Sequence, residues 1–215
     1  MCIISFYKQN DKIILTHNRD EKISRTASLE VEERKWNDKT FFSPVDKAKN
    51  GTWIFYSEQY IACILNGGRE KPKGFKTKYK KSRGIILLNL MKYDSVQDYL
   101  KSESFEDIAP FTIFVFERVS KKTFLLFWDE KKLEIKDLTD NEFVFRASST
   151  LYSLERMHDL ENIFHKFNKP SSKAILDIHQ SIVMKDGDVE KGKATTSITQ
   201  IIADSSSVSM KYCPF

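Results

Sequence analysis

Short apolar runs joined by polar turns limit most strongly what this chain can fold into. Residues 2–7 and 12–17 are rich in Ile and flank the polar turn 8–11, a pattern that is typical of an antiparallel hairpin. The pattern recurs at residues 51–56 with 60–65 and at residues 197–203 with 208–212. The sequence therefore predicts antiparallel sheet at both ends of the chain.

Helical periodicity occupies the middle of the chain. Residues 83–93 place apolar side chains on one broad face behind Ser82, a suitable N-cap. Further elements are predicted as helices from Leu154 up to Pro170 and from Ser172 onward, and as strands at residues 111–119, 123–128 and 142–147. This order indicates an α+β fold with antiparallel sheets. Because no repeat or linker interrupts the chain, we expect residues 1–215 to form a single domain.

Composition excludes several classes of protein. Hydrophobic residues make up 40% of the 215 positions, which is enough for a sizeable core. No apolar run approaches the roughly 20 residues of a membrane helix, and the initial CIISF is too short for the core of a signal peptide. We therefore expect a cytoplasmic protein without stable membrane insertion.

One segment stands out by its charge, although the net charge of +5 is modest. Eight of the fifteen residues from 69 to 83 are Lys or Arg, and only Glu70 opposes them. Pro72 and Gly74 interrupt the segment, which favours a mobile, solvated surface loop. A surface that attracts anionic small molecules is the alternative. No nucleic-acid-binding module surrounds the segment, so we expect no nucleic acid partner.

The three cysteines do not form a recognisable framework. Cys2, Cys63 and Cys213 are too widely spaced for a disulfide scaffold or a zinc site. His158 and His165 lie seven residues apart on one predicted helix and supply no complete set of metal ligands. We expect reduced thiols, no metal and no cofactor.

The position of Cys2 behind the initiator methionine has a chemical consequence. Its side chain is small enough for methionine aminopeptidase to remove Met1, so that the mature chain begins with Cys2. An α-amine has a reference pKa of about 7.7 to 8.0. It can act as general base for the thiol of its own residue, and nucleophile and base would then arrive together.

A polar run follows the second apolar segment and is expected to complete this site. The two strands of the first hairpin are antiparallel, so the run at 18–21 returns to the end of the sheet where Cys2 begins. Asp20 can orient the ammonium group, and Arg19 can favour the thiolate. The alternative is that Cys2 is a small buried strand residue and that the run is a polar turn. The residues alone leave both open.

Asn66 is a candidate donor to the oxyanion that forms when a carbonyl is attacked. Its side-chain amide, or the backbone amides of Gly67 and Gly68, can point at such an oxygen. The alternative is that Asn-Gly-Gly after a strand only forms a tight turn and has no catalytic role. The sequence is equally compatible with both interpretations.

Several motifs resemble one protein family along the whole chain. The start MCIISF and the later THNRDE resemble the NRDE family, also called the transport and Golgi organisation family. The matches in order are Gly51-Thr52-Trp53, Leu65-Asn66, Ser82-Arg83-Gly84 and the closing TTSITQIIADSSSVSMKYCPF. The resemblance implies a fold like that of N-terminal-nucleophile (Ntn) hydrolases, a four-layer αββα sandwich of two antiparallel sheets flanked by helices.

The spacing of the polar run differs from the pattern of related enzymes. Cysteine amidases of the bile-salt hydrolase and penicillin V acylase type carry an Arg three residues before an Asp, whereas Arg19 and Asp20 are adjacent here. Either Asn18 and Glu21 fill those positions, or a local shift restores Arg19 and Asp20. Ser148 and Ser149 occupy a region where related proteins place polar site residues.

Two functions follow as expectations from the resemblance. The first is an Ntn cysteine amidohydrolase that acts on a small, non-peptide amide. The second is a non-catalytic carrier or chaperone that holds an amphipathic anionic ligand, such as haem or an acyl lipid, in the same pocket. The expected catalytic residues are Cys2, Arg19, Asp20 and Asn66. The expected substrate-binding residues are His17, Asn18, Glu21, Gly67, Arg83 and Ser148.

Overall fold

A computed structural model describes residues 2–215 of the chain. The expected removal of Met1 lies outside these residues. The chain groups into two compact units. The first unit combines the N-terminal segment up to Arg25 with Asp140–Phe215, and the second unit is Thr26–Thr139.

The described residues form strands, α-helices and one short 3-10 helix at Leu90–Lys92. The α-helices are α1 (Arg83–Asn89), α2 (Val96–Ser102), α3 (Leu154–His165) and α4 (Ser172–Ser181). The strands are β1 (Cys2–Gln9), β2 (Lys12–Lys22), β3 (Glu32–Trp36), β4 (Lys39–Ser43), β5 (Ile54–Ser57), β6 (Tyr60–Asn66), β7 (Phe111–Glu117), β8 (Thr123–Trp128), β9 (Leu133–Asp137), β10 (Phe143–Ala147), β11 (Lys193–Ala203) and β12 (Val208–Pro214).

The first unit is built on a five-stranded antiparallel sheet in the order β10-β1-β2-β11-β12. Successive side chains of a strand point to opposite faces. On one face, Ile3, Tyr7 and Ile14 pack with residues of helices α3 and α4 in a buried cluster. We call this the helix face. Cys2 and Ile4 belong to the other face, because they alternate with Ile3.

The helices on this face begin as their sequences predict. Ser153 caps α3 by accepting a hydrogen bond from the backbone N–H of Arg156, and Ser171 caps α4 in the same way through the N–H of Ala174. Leu160 and Phe164 of α3 are buried in the cluster, because residues four apart lie on one side of a helix.

The second unit holds a seven-stranded antiparallel sheet in which β3 to β9 follow one another in chain order. Two motifs of the sequence meet in this unit. A Cβ atom on Gly84, at the start of α1, would lie 2.7 Å from the backbone oxygen of Thr52. A Cβ on Gly51 would lie 3.3 Å from the backbone of Gly84. The glycines of both motifs therefore allow two backbones to approach closely.

The predicted α+β class is confirmed, and the differences are local. The helix predicted over residues 83–93 ends as α-helix at Asn89 and continues as the 3-10 helix. Strands β3, β4 and β9 were not predicted. β3 and β9 form the edges of their sheet and are largely exposed. Their charged sequences lack the apolar alternation on which strand prediction depends.

The basic segment is tied to the rest of its unit. Residues 69–82 form no helix or strand, which agrees with a loop. Lys76 lies 3.2 Å from the carboxylate of Asp107, and Lys81 lies 3.4 Å from that of Glu103. Part of the basic charge is thus compensated within the protein. Within residues 2–215, no helix is both long and apolar enough to cross a membrane.

Candidate functional site

Cys2 and Arg19 form the centre of the candidate site. Cys2 is the first residue of β1 and lies directly opposite Arg19 of β2 in the antiparallel register, so their side chains share the face of the sheet opposite the helices. Both are buried, with exposed fractions of 3% and 4%. The carbonyl oxygen of Cys2 accepts a 2.8 Å hydrogen bond from the backbone N–H of Ser148.

Burial controls the acidity of the thiol. It raises the pKa of the Cys2 thiol above its ordinary value, and the nearby carboxylates of Asp20 and Glu21 act in the same direction. The guanidinium of Arg19 lowers that pKa, but its effect is smaller. The sequence suggested that Arg19 favours the thiolate. In the structure the loss of hydration outweighs this attraction, so the thiol needs a base to react.

Asp20 points to the other side of the sheet. Its Oδ2 accepts a 2.7 Å hydrogen bond from the hydroxyl of Tyr152, and its Oδ1 accepts a 2.6 Å bond from Oγ1 of Thr195. The side chain is fully buried. Burial raises the pKa of Asp20 to about 6, although both hydrogen bonds favour the carboxylate. Asp20 is therefore a fixed buried charge that titrates close to neutrality.

Arg19 is held by the neighbouring strand β11. Its Nη1 donates to Oγ1 of Thr196 at 2.9 Å and to the carbonyl of Arg25 at 3.2 Å. The pairing of β2 with β11 shifts by one residue between Thr195 and Ser197. This bulge places Thr195 beside Asp20 and Thr196 beside Arg19. Bulges are frequent next to active sites because they redirect individual side chains.

Asn18 anchors helix α4. Its Oδ1 lies 2.7 Å from Nδ1 of His179, and its Nδ2 donates to the carbonyl of His179 at 3.0 Å. Nε2 of His179 lies 2.8 Å from Oγ of Ser5. All three side chains are buried on the helix face, and burial lowers the pKa of His179 to about 3. This Ser-His-Asn arrangement fixes the helix against the sheet and has no access to solvent.

His17 lies on the same face as Arg19, between Ile4 of β1 and Thr199 of β11. It is fully buried, and neither ring nitrogen has a hydrogen-bond partner within residues 2–215. Burial lowers its pKa well below the ordinary value, so the imidazole is neutral. Oγ1 of Thr199 also lacks a partner in this part of the chain.

Glu21 closes the polar run near the surface of the first unit. Partial burial raises its pKa, but the surrounding donors and positive charges, among them the N–H of Lys22 and the guanidinium of Arg25, together lower the pKa overall. Its Oε2 lies 3.3 Å from Nη1 of Arg25. Glu21 is thus an ionised partner of Arg25.

Three predicted residues lie together in the second unit. Asn66 ends β6, where it pairs with Phe111. The N–H of Gly67 and Nη1 of Arg83 both donate to the carbonyl of Pro110, at 2.9 and 3.2 Å. Gly67 has a φ of 88°, a conformation that favours glycine. The chain therefore bends at Gly67, directly after the end of β6.

Ser148 lies in the first unit next to Cys2. Besides its backbone bond to Cys2, its Oγ lies 2.8 Å from Oγ1 of Thr150, and its carbonyl accepts from the N–H of Tyr152 at 3.0 Å. Ser148 thus links the start of β1 to the residue that binds Asp20.

Comparison with known proteins identifies the family. The family model described as Transport and Golgi organisation 2 matches residues 1–210. The chain belongs to the transport and Golgi organisation 2 family. No curated protein sequence matches it.

The fold of this family member is similar to a solved hydrolase structure. A variant of conjugated bile acid hydrolase from Clostridium perfringens matches with a TM-score of 0.58 and 9% sequence identity. The match covers 100% of this chain and 92% of the other. The Ntn-hydrolase-like fold that the sequence motifs implied is thereby confirmed.

The residues that hold the NRDE run of this family member were largely not foreseen. They are Tyr152, His179, Thr195 and Thr196. Thr195 and Thr196 carried a signal, since they begin the closing motif TTSITQIIADSSSVSMKYCPF and directly precede the predicted strand at residues 197–203. Tyr152 and His179 carried none, because their contacts depend on tertiary packing. Among the described residues, no group of three or more His, Cys, Asp or Glu is placed to hold a metal ion.

Proposed function

We propose that the chain is an Ntn cysteine amidohydrolase that cleaves the C–N bond of a small, non-peptide amide. The observation that carries this proposal is the register of the first hairpin, which sets Cys2 directly opposite Arg19 at the start of the sheet. The Ntn-hydrolase-like fold supports it. A nucleophile at this position acts only after Met1 has been removed.

The proposed reaction uses the thiol and the amine of Cys2. The amine takes the thiol proton, and the sulfur attacks the carbonyl carbon of the amide. The oxyanion collapses to a thioester as the C–N bond breaks, and the leaving amine takes the proton. Water then attacks the thioester, releases the carboxylic acid and restores the thiol. Each step balances without a cofactor.

The neighbouring residues have positioning roles in this proposal. The cation of Arg19 opposes the effect of burial on the thiol. Asp20 is an anion above a pH of about 6, and its charge stabilises the ammonium that forms when the N-terminal amine takes the thiol proton.

The burial of the thiol favours a second candidate function. Cys2 has an exposed fraction of only 3%, and its pKa is raised. A carrier of an amphipathic anionic ligand, such as haem or an acyl lipid, needs no reactive thiol, so a protonated, buried Cys2 is compatible with that function. In a carrier, Cys2 is a packing residue.

One experiment separates the two functions. The protein is expressed with its natural start, and its intact mass shows whether Met1 is absent. N-acyl amino acids and a conjugated bile acid are then offered to the wild type, Cys2→Ser and the control Cys213→Ser. If the protein is an amidohydrolase, we expect Met1 to be absent. Cys2→Ser should then lower turnover by orders of magnitude while leaving substrate binding largely intact, and Cys213→Ser should not lower turnover. Quantitative retention of Met1 would exclude this mechanism.

A further inference from the structure

A cleft of about 350 Å³ opens in the first unit on the helix face of its sheet. Ile3, Leu160 and Met184 form buried apolar lining. Ile182, Val183 and Val189 supply further apolar lining, and Val189 is half exposed. The volume is at the lower end of the range for small-molecule sites, about 300 to 1,000 Å³. The cleft therefore suits a small ligand with an apolar body.

Two opposite charges line the same cleft. The guanidinium of Arg156, in the first turn of α3, makes no hydrogen bond or ion pair within the described chain, and the residue is exposed. Asp188 accepts a 2.7 Å hydrogen bond from the N–H of Lys185 through Oδ2, which fixes its turn. Its Oδ1 has no hydrogen-bond partner among residues 2–215, and the two charges form no ion pair with each other.

The charges and the apolar lining together define the ligand class. We propose that the cleft binds a small apolar zwitterion, of the kind represented by an aliphatic α-amino acid. The ligand carboxylate pairs with Arg156, because guanidinium and carboxylate form strong charge-assisted bonds. The ligand ammonium faces Asp188, and the aliphatic chain covers the apolar lining. A simple fatty acid leaves Asp188 without a partner, and a simple amine leaves Arg156 without one.

The cleft is connected to Asp20 from two sides. Tyr152 lines the cleft and donates its hydroxyl hydrogen bond to Oδ2 of Asp20. Met184 also lines the cleft, and its N–H donates to Oγ1 of Thr195, which in turn donates to Oδ1 of Asp20. Cys2 faces the opposite side of the sheet. Binding in the cleft therefore requires no reaction at the thiol and goes beyond the proposed hydrolysis.

Isothermal titration calorimetry tests the proposal with three probes of equal chain length. Norleucine carries both charges, hexanoate carries only the negative charge, and pentylamine carries only the positive charge. We expect norleucine to bind at least tenfold more tightly than either of the others. Arg156→Ala and Asp188→Asn should each weaken norleucine binding about tenfold, since each removes one charge pair. Asp188→Asn retains an oxygen for the Lys185 N–H.

Control variants separate the site from nonspecific charge effects. Lys166→Ala removes an exposed cation just after α3 that does not line the cleft, and it should leave norleucine binding unchanged. Arg156→Lys should retain most of the binding. Cys2→Ala should bind norleucine as tightly as the wild type, because Cys2 lies on the other face of the sheet. The binding test therefore does not depend on whether the amidohydrolase proposal is correct. The proposal is overturned if norleucine does not bind, or if hexanoate binds as tightly and Asp188→Asn has no effect.

Discussion

Arg19 and Asp20 are neighbours in the chain, yet they act on opposite faces of the five-stranded sheet. Arg19 lies opposite Cys2, whereas the carboxylate of Asp20 is bound by Tyr152 on the helix face. The two residues therefore cannot be exchanged by a small shift in register, because a shift of one residue moves every side chain of the strand to the other face.

The charge of Arg19 should contribute to the reactivity of the Cys2 thiol. Since the guanidinium lowers the thiol pKa against the larger effect of burial, Arg19→Gln should raise that pKa and slow alkylation of Cys2 by iodoacetamide at pH 8, by about two- to threefold. Peptide mass spectrometry over a series of pH values measures the rate, with the half-buried Cys213 as internal reference. Arg19→Lys keeps the charge and should alkylate much as the wild type does. Equal rates for all three proteins would contradict this role.

Asp20 should make the protein less stable as the pH rises through 6. The pKa of Asp20 is about 6 in the folded protein, against an ordinary value of 3.8. The folded state therefore binds a proton between these values that the unfolded state does not bind. Stability from this group is fully present below pH 3.8 and is lost as the pH passes 6. The loss is on the order of 2 to 3 kcal/mol.

The Asp20→Asn variant isolates that contribution. Asn resembles the protonated acid in shape but does not titrate. The stability difference between the variant and the wild type, from urea unfolding at several pH values, should shift in favour of the variant between pH 4 and pH 7. A difference that stays constant over this range would show that Asp20 titrates normally.

The sequence predicted the hairpins and the fold class well, but it misplaced the end of β2. The strand was expected to stop near His17, because Asn, Arg, Asp and Glu are frequent in turns. In the structure β2 continues to Lys22. It does so because buried partners such as His179 and Thr195 satisfy the polar side chains. Partners so distant in the chain leave no local signal, and the division of the run between two faces was missed with them.

The glycine at the start of α1 should be essential for packing in the second unit. A Cβ on Gly84 would lie 2.7 Å from the backbone oxygen of Thr52, a contact that backbone atoms relieve only by moving. Gly84→Ala should therefore destabilise the protein by about 1 to 3 kcal/mol. Gly51→Ala, with its nearest contact at 3.3 Å, should cost less. Gly74→Ala is the control, because no atom lies within 4 Å of its added Cβ. Thermal unfolding measures all three, and equal effects would contradict the close approach.

His179 should make the protein sensitive to acid. Burial holds its pKa at about 3, against an ordinary value of 6.5, so the unfolded state takes up a proton at higher pH than the folded state. The stability from this group is present above pH 6.5 and is lost as the pH falls toward 3. Asp20→Asn serves as the background, because it removes the opposite contribution of Asp20. In that background, we expect the urea concentration at the unfolding midpoint to decrease as the pH is lowered from 7.5 to 5.

Asn18→Ala tests the same network at constant pH. It leaves Nδ1 of His179 without the partner that lies 2.7 Å away, and an unpaired buried polar atom costs about 1 to 3 kcal/mol. The variant should lose that much stability at pH 7.5. His158→Gln is the matched control, because His158 is exposed on α3 and should change neither the midpoint nor its pH dependence. If Asn18→Ala is as stable as the wild type, the Asn18–His179 pair does not anchor α4.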